Sequence, residues 1–193
     1  MNLVRKSLPA LAAMLLLGAA SLRAQHPQVR EGFWIGFGLG YGPFDVSCTG
    51  CGSVNSESNF TGHLRLGGTL KPNLLLGGDM VAWAKSEAGL DQVAGNIAAA
   101  AYYYPMERSG LFLKGGVGFA SYHARGGGNT ADGNGVGITL GAGYDIRVGR
   151  NISITPVGSF LFGSVGDIQV DGTTIASGWK QTIFEFGLDV TFH

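Results

Sequence analysis

The stretch Gln181–His193 (QTIFEFGLDVTFH) constrains this chain more than any other. Its alternate positions Thr182, Phe184, Phe186, Leu188, Val190 and Phe192 form an almost wholly apolar file, while Ile183, Glu185, Gly187, Asp189 and Thr191 form the other. A period of two places successive side chains on opposite faces of an extended strand, whereas a helix would repeat its apolar residues every three or four positions. An apolar file backed by carboxylates suits a strand with lipid on one side and a polar lumen on the other.

The opposite end of the chain is of another kind. Met1–Ala24 carries Arg5, Lys6 and Arg23 and no acid, with an uninterrupted apolar run over Leu8–Ala20 followed by small residues. That pattern reads as a secretory signal peptide cleaved after Ala24, and its apolar run is too short to span a bilayer as a helix. Cys48 is the first cysteine, too far downstream for a lipoprotein start. Residues 25–193 are then one exported domain. It holds ten basic against thirteen acidic residues and no basic block, which gives no support for nucleic-acid binding.

Between the two ends, alternation recurs. Phe33–Gly42 sets Phe33, Ile35, Phe37, Leu39 and Tyr41 against Trp34, Gly36, Gly38, Gly40 and Gly42. A file of glycine inside a strand weakens it unless something approaches closely. Phe60–Leu70, Leu74–Ala84, Leu111–Tyr122, Gly135–Val148 and Ile152–Phe162 alternate in the same way. Val93–Tyr104 contains a run of alanines that favours helix by propensity, but alternation also fits, and a strand must return here to keep the count even. The result is eight strands of about ten to twelve residues, which tilted by about 40° rise about 28 Å, enough for an apolar band about 25 Å tall. Short turns (Lys71–Asn73, Pro105–Gly110, Gly149–Asn151) alternate with long loops (Pro43–Asn59, Lys85–Gln92, His123–Asn134, Gly163–Gly178). Aromatics gather at strand ends: Phe33, Trp34, Tyr102, Tyr103, Tyr104 and Phe192 at the turns, Tyr41, Phe44, Trp83 and Trp179 at the loops. They read as two interfacial belts.

Across nearly all of residues 25–193 this pattern resembles the small eight-stranded outer-membrane barrels, the family of the outer-membrane protein A transmembrane domain and the opacity-type surface proteins. The resemblance implies an all-β, antiparallel up-and-down transmembrane barrel in the bacterial outer membrane, with periplasmic turns and external loops. Its partners would be outer-membrane lipid and lipopolysaccharide, and the barrel-assembly machinery during biogenesis. Phe186, Leu188, Val190 and Phe192 match the terminal strand which that machinery reads, although here His193 follows the aromatic. The expected state is a monomer.

Eight strands leave an interior filled by side chains or threaded by a thin file of water, which makes a general porin a poor reading. The inward glycines keep a narrow solute path open as an alternative. The inward files carry charge, and a hairpin centred on Pro72 sets Arg65 opposite Asp79. A looser centre near residue 129 brings Lys114 close to Asp145, with Glu185 and Asp189 shared into the interior or hydrated. Inward charge argues against a lipocalin-like barrel, whose interior is apolar. Cys48 and Cys51 read as a local disulfide clip, because a redox CxxC needs a βαβ scaffold and a metal site needs further ligands. Closing so small a ring contributes about 2 kcal/mol by chain entropy. The glycine-rich loop His123–Asn134 lacks the helix start of a phosphate cradle. A lipid-A deacylase would place a Ser–His pair and an acid on the outer face; His123, Asp132 and Ser164 are the candidates, but His123 is followed by Ala124-Arg125 rather than by His-x-Ser. No catalytic, cofactor or metal site is therefore assigned.

Overall fold

The computed structural model describes residues 28–51 and 55–193, so the leader read over Met1–Ala24 lies outside the described residues. The strands are β1 (Phe33–Thr49), β2 (Glu57–Lys71), β3 (Leu74–Glu87), β4 (Leu90–Tyr103), β5 (Leu111–Gly126), β6 (Asn129–Tyr144), β7 (Ile146–Arg147), β8 (Ile152–Val170) and β9 (Thr173–Phe192). β6 and β7 are one stave interrupted at Asp145, since both pair with β8. Each stave runs antiparallel to its neighbours in chain order, and β1 pairs with β9, so eight staves close into a barrel. The alanine run is strand β4, because its neighbours on both sides offer complete ladders and tertiary pairing outweighs propensity.

Outward files are apolar for about nine residues and then turn polar together. Tyr41 and Pro43 give way to Asp45 on β1, Phe119 to Ser121 on β5, Val136 to Asn134 on β6, Phe162 to Ser164 on β8, and Phe184 to Thr182 on β9. That edge marks the height of the hydrocarbon band. The principal staves are 14 to 20 residues long, beyond the roughly 9–11 a bilayer needs. The excess continues as paired hairpins where loops were expected. Ala88-Gly89, Gly127-Gly128 and Asp171-Gly172 connect three of them, with φ of 50° and 79°, 59° and 85°, and 49° and 79°. Positive φ at both central residues is the type I′ turn, whose twist matches that of the flanking strands. The expected loops Lys85–Gln92, His123–Asn134 and Gly163–Gly178 are thus ladder down to two residues, because their polar side chains do not stop the backbone from pairing.

The aromatic belts also need correction. Trp34, Tyr102 and Tyr104 at the turn end, and Phe44 and Trp83 at the hairpin end, are buried in the barrel, and Trp179 packs against the latter group. Phe33, Tyr41, Tyr103 and Phe192 remain outside, exposed. Inward parity, not sequence position, decides which aromatics can meet lipid.

Hairpin tips this far beyond the apolar edge should accept insertions. Epitope tags at Gly127-Gly128 and Asp171-Gly172 are expected to be reachable on intact cells, while tags at Lys71–Asn73 are not; the reverse labelling would invert the topology.

Candidate functional site

Because each strand alternates, eight inward files meet in the lumen, and they sort into layers. Phe44, Trp83, Tyr122, Leu161, Val165, Ile168 and Ile183 fill the hairpin end. Trp34, Leu75, Tyr102, Tyr104, Phe112 and Val157 fill the turn end. Charged and polar side chains lie between them. Just inside the hairpin-end layer two amides cross the lumen. Asn96 of β4 donates to the carbonyls of Ile138 (3.1 Å) and Phe162 (3.2 Å), and Gln181 of β9 donates to that of Ser121 (3.1 Å).

The charged layer is built from ion pairs that skip a strand. His63 of β2 reaches over β1 to β9, with Nε2 2.5 Å from Glu185 Oε2 and Nδ1 3.0 Å from Asp189 Oδ1. Both ring nitrogens thus face a carboxylate of β9. Arg65 makes the same crossing. Its Nη2 donates to Thr191 Oγ1 at 2.6 Å, and its Nε lies 3.2 Å from Asp189 Oδ2, a charge contact rather than an aligned hydrogen bond. The glycine file of β1 makes room for both. A Cβ on Gly36 would stand 2.8 Å from Arg65 Nε, and one on Gly40 3.0 Å from His63 Nε2. Across the barrel, Lys114 of β5 reaches over Ala98 and Ala100 of β4 to Asp79 of β3, with Nζ 2.9 Å from Oδ2, which also accepts from the Tyr102 hydroxyl at 2.6 Å. His63, Arg65 and Lys114 thus face the carboxylates Asp79, Glu185 and Asp189.

The expected partners were therefore half right in register and wrong in contact. Arg65 and Asp79 do face each other across β2 and β3, but the long guanidinium passes its neighbour and the shorter carboxylate is held by Lys114. Lys114 lies opposite Gly141, not beside Asp145, because the hairpin turns at Gly127-Gly128 rather than near residue 129. Asp145 sits at the break between β6 and β7, accepting from Tyr104 (2.7 Å) and Thr155 (2.8 Å), with Arg65 Nη2 3.9 Å away. Of the inward glycines, expected to loosen the interior, Gly36, Gly40, Gly137 and Gly141 lie against the side chains of Arg65, His63, Asn96 and Lys114.

The sequence reading missed a strap. Residues 28–32 cross beneath the turn end from β1 to the far staves. The Arg30 guanidinium lies 3.6 Å from the Tyr104 ring centroid and donates to the carbonyls of Glu107 (3.0 Å) and Ser109 (2.5 Å). Gln28 donates to the Asp145 carbonyl at 3.1 Å, and Arg147 to that of Val29 at 2.8 Å. A short polar lead-in carries no periodic signal, so nothing in the sequence pointed to it.

At the hairpin end Cys48 and Cys51 are joined as a disulfide. His123 contacts Asp132, its cross-strand partner, on the outward face. Ser164 lies opposite Val136, four residues along β6 from Asp132, so the three are not brought together as a triad. Among the described residues, no group of three or more His, Cys, Asp or Glu is placed to hold a metal ion.

The sequence model of the outer membrane protein beta-barrel domain matches residues 10–192. No curated protein matches the sequence. Among solved structures, Neisserial surface protein A superposes with a TM-score of 0.55 at 17% identity, over 84% of this chain and 98% of that one. Ail, the attachment invasion locus protein of Yersinia pestis, solved in complex with the heparin analogue sucrose octasulfate, superposes with a TM-score of 0.53 at 13% identity, over 83% and 99%. At such identities the likeness is one of fold.

Two outcomes test this geometry by urea unfolding in lipid vesicles. Asp79→Ala or Asp189→Ala should each destabilise by about 3–5 kcal/mol, since a buried cation loses its partner. Double-mutant cycles should then show coupling for Lys114 with Asp79 and for Arg65 with Asp189, and less for Arg65 with Asp79; the opposite ranking would refute the crossing pairs. The second outcome concerns His193, beyond the end of β9, where burial, partly opposed by Asp145, holds the imidazole down at about 4 against the usual 6.5. Between those values the unfolded chain binds a proton that the folded chain does not, so stability present above pH 6.5 falls as the pH is lowered toward 4. His193→Gln should remove that part of the slope.

Proposed function

Because the chain belongs to the outer membrane protein beta-barrel domain family and so resides in the bacterial outer membrane, we propose that it is a closed, non-enzymatic barrel that acts through its external hairpins in a structural or adhesive role. The observation that carries this reading is the lumen. Two aromatic layers, two crossing amides and a layer of ion pairs occupy it, which supports a closed interior over a solute path. In this reading the hairpin ends face outward, and Phe186, Leu188, Val190 and Phe192, all on the outward file of β9 at the seam with β1, serve as the assembly signal. The working state is a monomer surrounded by outer-membrane lipid and lipopolysaccharide, and the chain has no nucleic-acid partner.

The hairpins supply the contact surface. Their charge is mostly acidic, with Asp45, Glu57, Glu87, Asp91, Asp132, Asp167 and Asp171 against Lys85, Arg125 and Lys180. Lys85 is already engaged, 3.1 Å from Glu57 and 2.6 Å from Glu87. Ail was solved with a sulfated sugar analogue, whereas this rim suits a neutral or cationic surface better than a polyanion. The disulfide at Cys48–Cys51 is a clip on this rim. Ser164, the serine the deacylase reading names, is not brought to the outward His123–Asp132 pair, which counts against that reading.

Purified wild-type protein in planar bilayers should give no large, steady conductance; a stable open channel would overturn the closed-barrel reading. Replacing residues 167–176 by a two-residue Asn-Gly turn should leave heat-modifiable folding intact while lowering attachment of expressing cells to host-matrix surfaces. Unchanged attachment would remove the adhesive role and leave the structural one.

A further inference from the structure

On the lipid face of β6, β8 and β9, two shallow, largely open grooves run into one another, sharing Ala142, Gly158 and Phe186. Register explains them. Ala142 and Gly158 are cross-strand partners on the outward face, and Gly158 is also the partner of Phe186. Two small residues side by side thus leave a trough beneath the larger row of Leu140, Phe160 and Phe184. Phe184 and Phe186 wall it edge to face, with ring centroids 5.1 Å apart. From the Phe160 row to the Pro156 row the trough follows the strands for about 13 Å, at about 3.3 Å per residue. It is elongated, apolar and wholly within the hydrocarbon band.

Beyond its outer end stands a cation. Lys180 lies on the same outward file of β9, four residues past Phe184, at the polar edge of the band. Its cross-strand partners are Ser47 on β1 and Ser164 on β8, and Asp45 lies one step lower, opposite Thr182. Lys180 is exposed and, among the described residues, enters none of the ion pairs of the rim. A trough for a hydrocarbon chain with an unengaged ammonium and two hydroxyls above it matches a molecule with an acyl tail and an anionic head.

We infer that this face seats one acylated, phosphorylated lipid of the outer leaflet, with an acyl chain in the Ala142–Gly158 trough and a phosphate at Lys180. The inference deepens the reading above, since it needs the hairpin ends outward, but it does not depend on the lumen being closed. Continuity with the surrounding lipid-facing surface favours a lipid over a second copy of the chain, and the lysine favours an anionic head over a neutral one.

Native mass spectrometry of the full mature chain, released from detergent with added hexa-acylated lipid A or its dephosphorylated form, tests it. The wild type should retain one lipid A per chain. Ala142→Phe, which fills the trough, should cut retention of both forms by about tenfold, equivalent to about 1.4 kcal/mol. Lys180→Gln should weaken the phosphorylated form alone. Gly158→Leu is a second trough-filling variant; its Cβ would make an ordinary contact with the Phe186 ring at 3.4 Å. Heat-modifiable migration confirms folding of each variant. Equal retention by the wild type and both filled variants overturns the trough, and equal loss of the two lipid forms in Lys180→Gln overturns the head site. A retained mass equal to a second chain would assign the face to dimerisation instead. Conductance is measured separately, so failure here is distinguishable from failure of the closed barrel.

Discussion

The structure depends on buried charges that reach past a neighbouring strand. His63 and Arg65 cross β1 to meet Glu185 and Asp189, and β1 with β9 forms the seam that closes the barrel. An ion in a low-dielectric interior must have a partner, because stranding it costs about 3–5 kcal/mol even where the pair itself is nearly neutral. Closing the seam is what brings those partners within reach. The charged layer therefore ties barrel closure to ion pairing: an open seam would part His63 and Arg65 from Glu185 and Asp189, while Lys114 and Asp79, on β5 and β3, would keep each other.

Small residues make that crossing possible. The glycine file of β1 lies under His63 and Arg65, and Gly141 of β6 lies against the stem of Lys114. In both places a strand that is weak by its own composition is compensated by what passes over it. The aromatic layers above and below exclude water from the charges, which strengthens their attraction and makes any mismatch more costly. The Arg30 strap adds a further cover at the turn end, with its guanidinium stacked on Tyr104.

With the interior given over to packing and ion pairs, the proposed function places recognition on the outside. The external hairpins continue the ladder past the hydrocarbon edge on two-residue turns, which gives them more rigidity than free loops of equal length. A rigid acidic rim above a lipid-facing trough is the arrangement on which both functional proposals rest.

Much of this was legible in residue order. Period-two alternation places Phe186, Leu188 and Val190 outside and Glu185, Gly187 and Asp189 inside, since a pleated strand has only two faces. The same rule sorts His63 and Arg65 inward and predicts eight staves. What alternation does not carry is depth and reach. Trp34, Tyr102 and Trp83 sit near strand ends, where a belt and an internal layer look alike until parity is combined with closure. The glycine file announced a close approach but not by whom. Arg65 and Asp79 are opposite in register yet bonded elsewhere, because a guanidinium spans more than one inter-strand spacing and finds its carboxylate on a strand more than a hundred residues away. Turn positions were hidden too, since polar loop composition does not distinguish a free loop from a paired hairpin, and a turn at Gly127-Gly128 rather than near residue 129 sets Lys114 opposite Gly141 and away from Asp145. Local pattern determined which face each side chain takes; the closed barrel decided which side chains meet, because only closure sets the distances between files remote in sequence.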